Sequence, residues 1–179
     1  IQAALWTPRH RPQVAYIAPT YSQAKRAAWE YAKEFCAELG GARFHESELR
    51  IDLPRVLQDG HKDFARIMLL GSETPDSLRG IYLDVAILDE YADMNPRLYP
   101  EIVRPALSDR KGSCIWIGTP RGQNLFFDKY EEARRESLAG NEDWACFLHK
   151  ASETEIIDEY ELEDAAKQMS KPQYAQEYE

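Results

Sequence analysis

Four short apolar runs recur along the chain, at 14–18, 67–70, 85–88 and 114–117. Each is continuous rather than alternating, which is the pattern of a strand buried on both faces of a parallel sheet, and each is too short for a buried helix. Between the runs, apolar residues fall at helical spacings. The clearest set is Ala24, Ala28, Tyr31, Phe35 and Leu39, which predicts one helix with these residues as its apolar face. Thr20 to Gln23 has the capping-box form, in which Thr20 accepts from the third helical N–H and Gln23 reaches back, and Gly40-Gly41 supplies a left-handed exit. Asn95 before Pro96 marks a second helix start, and Asn124 caps a helix carrying Phe126, Phe127, Tyr130 and Ala133. Asp158 with Glu161 opens a last one, with Leu162, Ala165, Ala166 and Met169 facing inward. The alternating stretch 43–53 reads as a hairpin at the sheet edge.

Strands alternating with helices predict an α/β three-layer domain with a mainly parallel sheet, and place its ligand at the carboxyl ends of the strands. With no repeat or low-complexity tract, residues 1–179 read as one domain, and 179 residues with 44% apolar side chains can bury a sizeable core. No apolar stretch approaches the roughly 20 residues that span a bilayer, so no membrane partner is expected. Cys36, Cys114 and Cys146 are widely spaced and beside apolar runs, which suits core thiols rather than a disulfide framework or a metal site. The four histidines show no ligand spacing either. A net charge of −9 argues against a surface that coats nucleic acid throughout, but leaves room for local contact. Basic clusters stand at Arg9-His10-Arg11 and around Arg104, Arg110 and Lys111; such groups are usually a solvated face.

The chemistry is expected just after each apolar run. The third ends in Asp89-Glu90, two carboxylates at a buried strand's tip. An Asp there can hold the Mg²⁺ that neutralises ATP phosphates, while the next carboxylate orients and deprotonates water. This is the Walker B pattern with a catalytic glutamate; alone, it is also what a strand finishing in a solvated acidic turn looks like. The fourth run leads into Gly118-Thr119-Pro120-Arg121-Gly122, where Thr119 can sense a γ-phosphate in a turn that moves when the phosphate leaves. The second leads through a polar loop to Arg79-Gly80, where a guanidinium could reach a phosphate.

Taken together, these loops resemble the ATPase domain of the large terminase subunits of tailed phages. The matching stretches are 17–25, Ser77-Leu78-Arg79-Gly80, Ala86 to Ala92, Arg104-Pro105-Ala106-Leu107-Ser108, Ile117 to Gly122 and Gln176-Glu177-Tyr178, in order along nearly the whole chain. The resemblance implies a P-loop NTPase of the RecA-like type that uses ATP and Mg²⁺, with Asp89 as the metal-associated aspartate and Glu90 as the catalytic carboxylate. It puts Thr119 in the motif coupling hydrolysis to DNA movement. Arg79 matches an arginine that, in some of these enzymes, acts as a finger on a neighbouring subunit's nucleotide. It further implies a motor that drives double-stranded DNA into a prohead in the host cytoplasm, as a ring homo-oligomer with a portal protein and a small terminase subunit.

One departure stands out: no Gly-x-x-x-x-Gly-Lys-Ser/Thr occurs, nor any Gly-Lys dipeptide. Residues 1–179 are therefore expected to be a truncated ATPase domain, with the phosphate-binding loop before residue 1, residues 1–6 ending the helix that follows it, and a nuclease domain after residue 179. Two other readings are a helicase-like nucleic-acid remodeller of the same fold and a catalytically silent docking domain; a phosphate-loop lysine upstream in the parent gene would exclude the latter.

Overall fold

The computed structural model describes residues 7–154 and 156–178; the helix end expected at residues 1–6 lies outside them. They form two compact units that meet in sequence at Ile117 and Gly118.

The first unit is built on a six-stranded sheet of β1 (Gln13–Ala18), β2 (Arg43–His45), β3 (Arg50–Val56), β4 (Lys62–Gly71), β5 (Val85–Leu88) and β6 (Ser113–Trp116), in the order β2-β3-β4-β1-β5-β6. The four apolar runs are the four mutually parallel strands β1, β4, β5 and β6. Residues 43–53 do form an edge hairpin, β2 with β3, and β3 continues antiparallel onto β4. β1 is central, paired with β4 on one side and β5 on the other, so Ala15 and Ile17 have no solvent exposure. Continuous apolarity is what such a position demands.

One helix, α1, crosses one face. It runs through Tyr21–Ala24, a π turn at Lys25–Trp29 and Glu30–Ala37. The capping box forms in altered shape: Thr20 Oγ1 accepts from Gln23 N at 3.2 Å, but Gln23 returns its Oε1 to the Thr20 hydroxyl at 2.8 Å rather than to the backbone N–H. The apolar face predicted for this helix is not the buried one. Ala24 is buried, yet Tyr31 and Phe35 are 63% and 62% exposed, while Trp29 and Cys36 are fully buried. The π turn is the cause, because its wider loop adds one residue to the turn and rotates everything after it by about 100°. The core therefore continues from Ala24 to Trp29, Ala32 and Cys36, packed on Val14, Ile51, Leu53, Ile67 and Leu69. Trp29→Ala should thus cost about 3–5 kcal/mol in denaturant unfolding, and Phe35→Ala within about 0.5 kcal/mol. The reverse ranking would mean that the π turn does not set the core face.

A second helix, α2, joins a π segment, Tyr99–Val103, to Arg104–Ser108, and buries Ile102, Val103, Ala106 and Leu107. Asn95 prepares it as expected, its Oδ1 accepting from Arg97 N at 3.0 Å. Tyr99 meets Trp116 of β6 edge to face at 5.1 Å between ring centroids, and Leu83 N donates to Ala106 O at 2.9 Å.

The second unit is helical among its described residues: α3 (Leu125–Leu138), α4 (Ala151–Thr154), α5 (Glu159–Gln168) and α6 (Lys171–Tyr178). Asn124 caps α3 by accepting from Phe126 N and Phe127 N, at 3.0 and 3.1 Å. Asp158 caps α5 through Tyr160 N at 2.8 Å. Of the α5 face expected inside, Leu162 and Ala165 are half-buried but Ala166 and Met169 are exposed. This short helix shares a partial interface with α6 rather than lying on a sheet. No helix among the described residues is long and apolar enough to cross a membrane.

Candidate active site

Asp89 and Glu90 follow β5 directly, at the carboxyl end of the parallel strands. The backbone pins both. Asp89 N donates to Ile17 O at 2.9 Å, continuing the β1 ladder, and Tyr91 N donates to Ile117 O at 3.1 Å. Between them Glu90 has φ 54° and ψ 47°, the left-handed region, which a residue with a Cβ enters at a cost of about 1–3 kcal/mol when its surroundings hold it there. That turn lets two consecutive carboxylates serve one site, where an extended strand would send them to opposite faces.

The Asp89 carboxylate is oriented at both oxygens. Its Oδ1 accepts from Glu90 N at 3.2 Å, and its Oδ2 accepts from the Tyr16 hydroxyl. Tyr16 pairs in register with Ile87, so it shares a sheet face with Asp89 two residues further on. Burial, together with the adjacent Asp89, holds the Tyr16 phenol protonated well above its usual range, so it remains a donor at any working pH.

These carboxylates line an open cavity of about 330 Å³ with Ala18, Pro19, Gln23 and Arg26. Arg26 supplies positive charge to this cavity, placed there by the first turns of α1. The start of α1 is tied to the tip of β4, where Glu73 accepts from Tyr21 N at 2.8 and 3.1 Å. Gly71 makes this possible, since a Cβ there would overlap the Glu73 carboxylate and the Tyr21 amide.

Among the described residues, no group of three or more His, Cys, Asp or Glu side chains could hold a metal by itself. Mg²⁺ differs from most metals in taking one or two carboxylates and completing its shell with water and phosphate oxygens. One aspartate braced at both oxygens fits that requirement.

The expected residues are not all gathered here. Asp89 and Glu90 are together. Arg79 follows a 3₁₀ turn, Pro75–Leu78, and is 52% exposed at its side chain; its Nε meets Asp76 at 2.8 Å and its Nη2 meets Glu101 at 3.4 Å. Its guanidinium makes no bond to Asp89 or Glu90. Thr119 belongs to the second unit, half-buried in the irregular segment before Asn124. Sequence reasoning missed Tyr16 and Arg26. A tyrosine in the middle of the strand beside the acidic one, and an arginine one turn into the helix after it, were the available signals.

No family profile matches the chain. The large terminase subunit of Thermus virus P23-45 is 36% identical over 124 residues, which is 63% of this chain and 25% of that protein. The large terminase subunit of Escherichia phage T5 is 27% identical over 169 residues, 93% of this chain and 36% of the relative. The chain thus spans about a quarter to a third of the relatives it matches. In structure, the large terminase ATPase domain of Thermus phage P74-26 superposes with a TM-score of 0.75 at 22% identity, covering 95% of this chain and 76% of that one. The large terminase of another thermophilic bacteriophage, solved in complex with ADP, gives a TM-score of 0.72 at 15% identity over 93% of this chain and 39% of its own. The chain resembles large terminase subunits in sequence, and its fold is the RecA-like α/β fold of their ATPase domain.

Proposed function

We propose that this chain forms part of the ATP-hydrolysing motor domain of a phage large terminase, which drives double-stranded DNA into a prohead. The observation that carries the reading is the pair Asp89-Glu90 at a parallel strand's tip, the first oriented at both oxygens and the second held in a left-handed turn beside a cavity that Arg26 also lines. The large terminase of the thermophilic bacteriophage was solved with ADP, and the same ligand class suits this cavity.

In this reading Asp89 holds Mg²⁺, which neutralises phosphate charge when bound. Tyr16 keeps the Asp89 carboxylate turned toward the cavity. Glu90 accepts a hydrogen bond from the attacking water and takes its proton as the water oxygen bonds to the γ-phosphorus and the bond to the β-phosphate oxygen breaks, releasing ADP. Arg26 lies where it can pair with a phosphate oxygen. Thr119 senses the γ-phosphate, and Arg79 completes the site of a neighbouring subunit. The motor works as a ring in the host cytoplasm, docked on a portal protein and supplied with DNA by a small terminase subunit.

Asp89→Asn in the intact protein tests the metal-holding role. The amide keeps the shape and loses the charge, so turnover should fall by about 10²-fold or more and the Mg²⁺ concentration for half-maximal rate should rise. Unchanged Mg²⁺ dependence would remove Asp89 from that role.

A further inference from the structure

The first turns of α1 carry the positive charge of the cavity, yet little packing holds them. Across residues 21–27 only Ala24 is buried, and the next fully buried side chain is Trp29, beyond Arg26. Arg26 itself lies inside the π turn, Lys25–Trp29. A helical segment this short and this exposed is marginal unless contacts from elsewhere fix it.

The fixing contact comes from β4. A helix start leaves N–H groups without intrahelical partners. Thr20 Oγ1 accepts from Gln23 N at 3.2 Å, but that bond is internal to the turn and does not set where the helix lies. Glu73 accepts from Tyr21 N with both carboxylate oxygens, at 2.8 and 3.1 Å, and it stands on a different element. Its negative charge also suits that end of a helix. The residue before it is anchored in turn: Ser72 is 2% exposed, its N donates to Ala18 O at 2.9 Å and its Oγ donates to Pro19 O at 3.1 Å. Glu73 thus ties the start of α1 to a point locked onto the exit of the central strand.

We propose that Glu73 is a positioning residue for ATP: it holds the first turn of α1 so that Arg26 faces the phosphates. It acts through Arg26 and touches no reacting atom. The proposal rests on the ATPase reading above and adds to it a residue outside the cavity that sets nucleotide affinity.

The test is ATP KM, kcat and equilibrium ATP affinity of the intact protein carrying Glu73→Ala, Glu73→Gln, Arg26→Ala or both alanine changes. Arg26→Ala should raise KM by about 10-fold or more, as expected for a lost charge-assisted hydrogen bond. Glu73→Ala should raise KM by about 5-fold, in the range of a lost helix cap, and leave kcat within about 3-fold, because binding lost equally in ground and transition states shows in KM alone. The double variant should be no more than about 2-fold worse than Arg26→Ala, since a residue acting through Arg26 has nothing left to place. In Glu73→Gln the amide oxygen still accepts from Tyr21 N, so KM should stay within about 3-fold of the unaltered value. Gly71→Ala reaches the same contact from the backbone side, its Cβ overlapping the Glu73 carboxylate and the Tyr21 amide, and should raise KM as Glu73→Ala does. Circular dichroism melts check that each variant folds. Multiplying effects in the double variant, an unchanged KM in both Glu73→Ala and Gly71→Ala, or a fall in kcat at constant KM would each overturn the proposal, the last by assigning Glu73 to folding or to the Arg79 loop. Absence of ATP binding by the unaltered intact protein would overturn the ATPase reading and this proposal with it, and is distinguished from the other outcomes because it precedes any substitution.

Discussion

Glu90→Gln in the intact protein is expected to leave ATP binding within a few-fold of normal and to cut turnover by about 10²–10⁴-fold. The amide keeps the size of the side chain and can still accept one hydrogen bond from water, but it cannot take the proton. The backbone supplies a control. Glu90 sits at φ 54° in a turn pinned by Asp89 N to Ile17 O and Tyr91 N to Ile117 O. Gln tolerates the left-handed region about as well as Glu does, so the turn should survive the change. Glu90→Asp then separates geometry from charge: it keeps a carboxylate but withdraws it by one methylene, and a base that must reach a positioned water should lose most of its rate there too. Parallel loss of ATP affinity and turnover in Glu90→Gln, measured by equilibrium binding and steady-state hydrolysis, would assign Glu90 to holding the turn instead of to proton transfer.

The strand positions and the acidic pair were legible because they rest on local rules. β1 and β5 lie between two parallel neighbours and must be apolar on both faces, whereas the run 114–117 proves to be an edge strand with Ile115 49% exposed; 85–88 can end in two carboxylates only by reaching solvent there. What stayed hidden depends on pairing or on backbone detail. Ala24, Ala28, Tyr31, Phe35 and Leu39 make a regular helical stripe, yet one π turn moves burial to Trp29 and Cys36, and no residue in Lys25–Trp29 announces it. Tyr16 looked like one more core residue until β1 was placed beside β5, which puts its hydroxyl on Asp89.

Arg79→Ala in the intact, assembled protein is expected to lower ATP turnover by about 10³–10⁵-fold, the range for an arginine finger, while leaving each subunit's nucleotide affinity nearly unchanged. The structure motivates the trans arrangement. The Arg79 guanidinium is half-exposed, held by Asp76 and Glu101, and Glu101 is shared with Arg97 at 2.7 Å. Its partners are acidic surface residues and not the carboxylates of its own cavity. The hydrogen bond from Arg79 Nε, at 2.8 Å, holds the Asp76 carboxyl below its usual range. Exposed ion pairs of this kind are individually weak and exchange readily, so an incoming phosphate with its multiple charge can displace both carboxylates. Mixing Arg79→Ala subunits with Glu90→Gln subunits distinguishes the arrangements. In trans, an Arg79→Ala subunit keeps its own Glu90, and a Glu90→Gln neighbour supplies the missing guanidinium. ATPase activity should therefore rise from near zero in either pure variant to a maximum at intermediate ratios. If Arg79 instead serves its own subunit, each Arg79→Ala site stays incomplete whatever its neighbour carries. A flat baseline across all ratios, with both variants folded and exchanging within rings, would remove Arg79 from the trans-acting role.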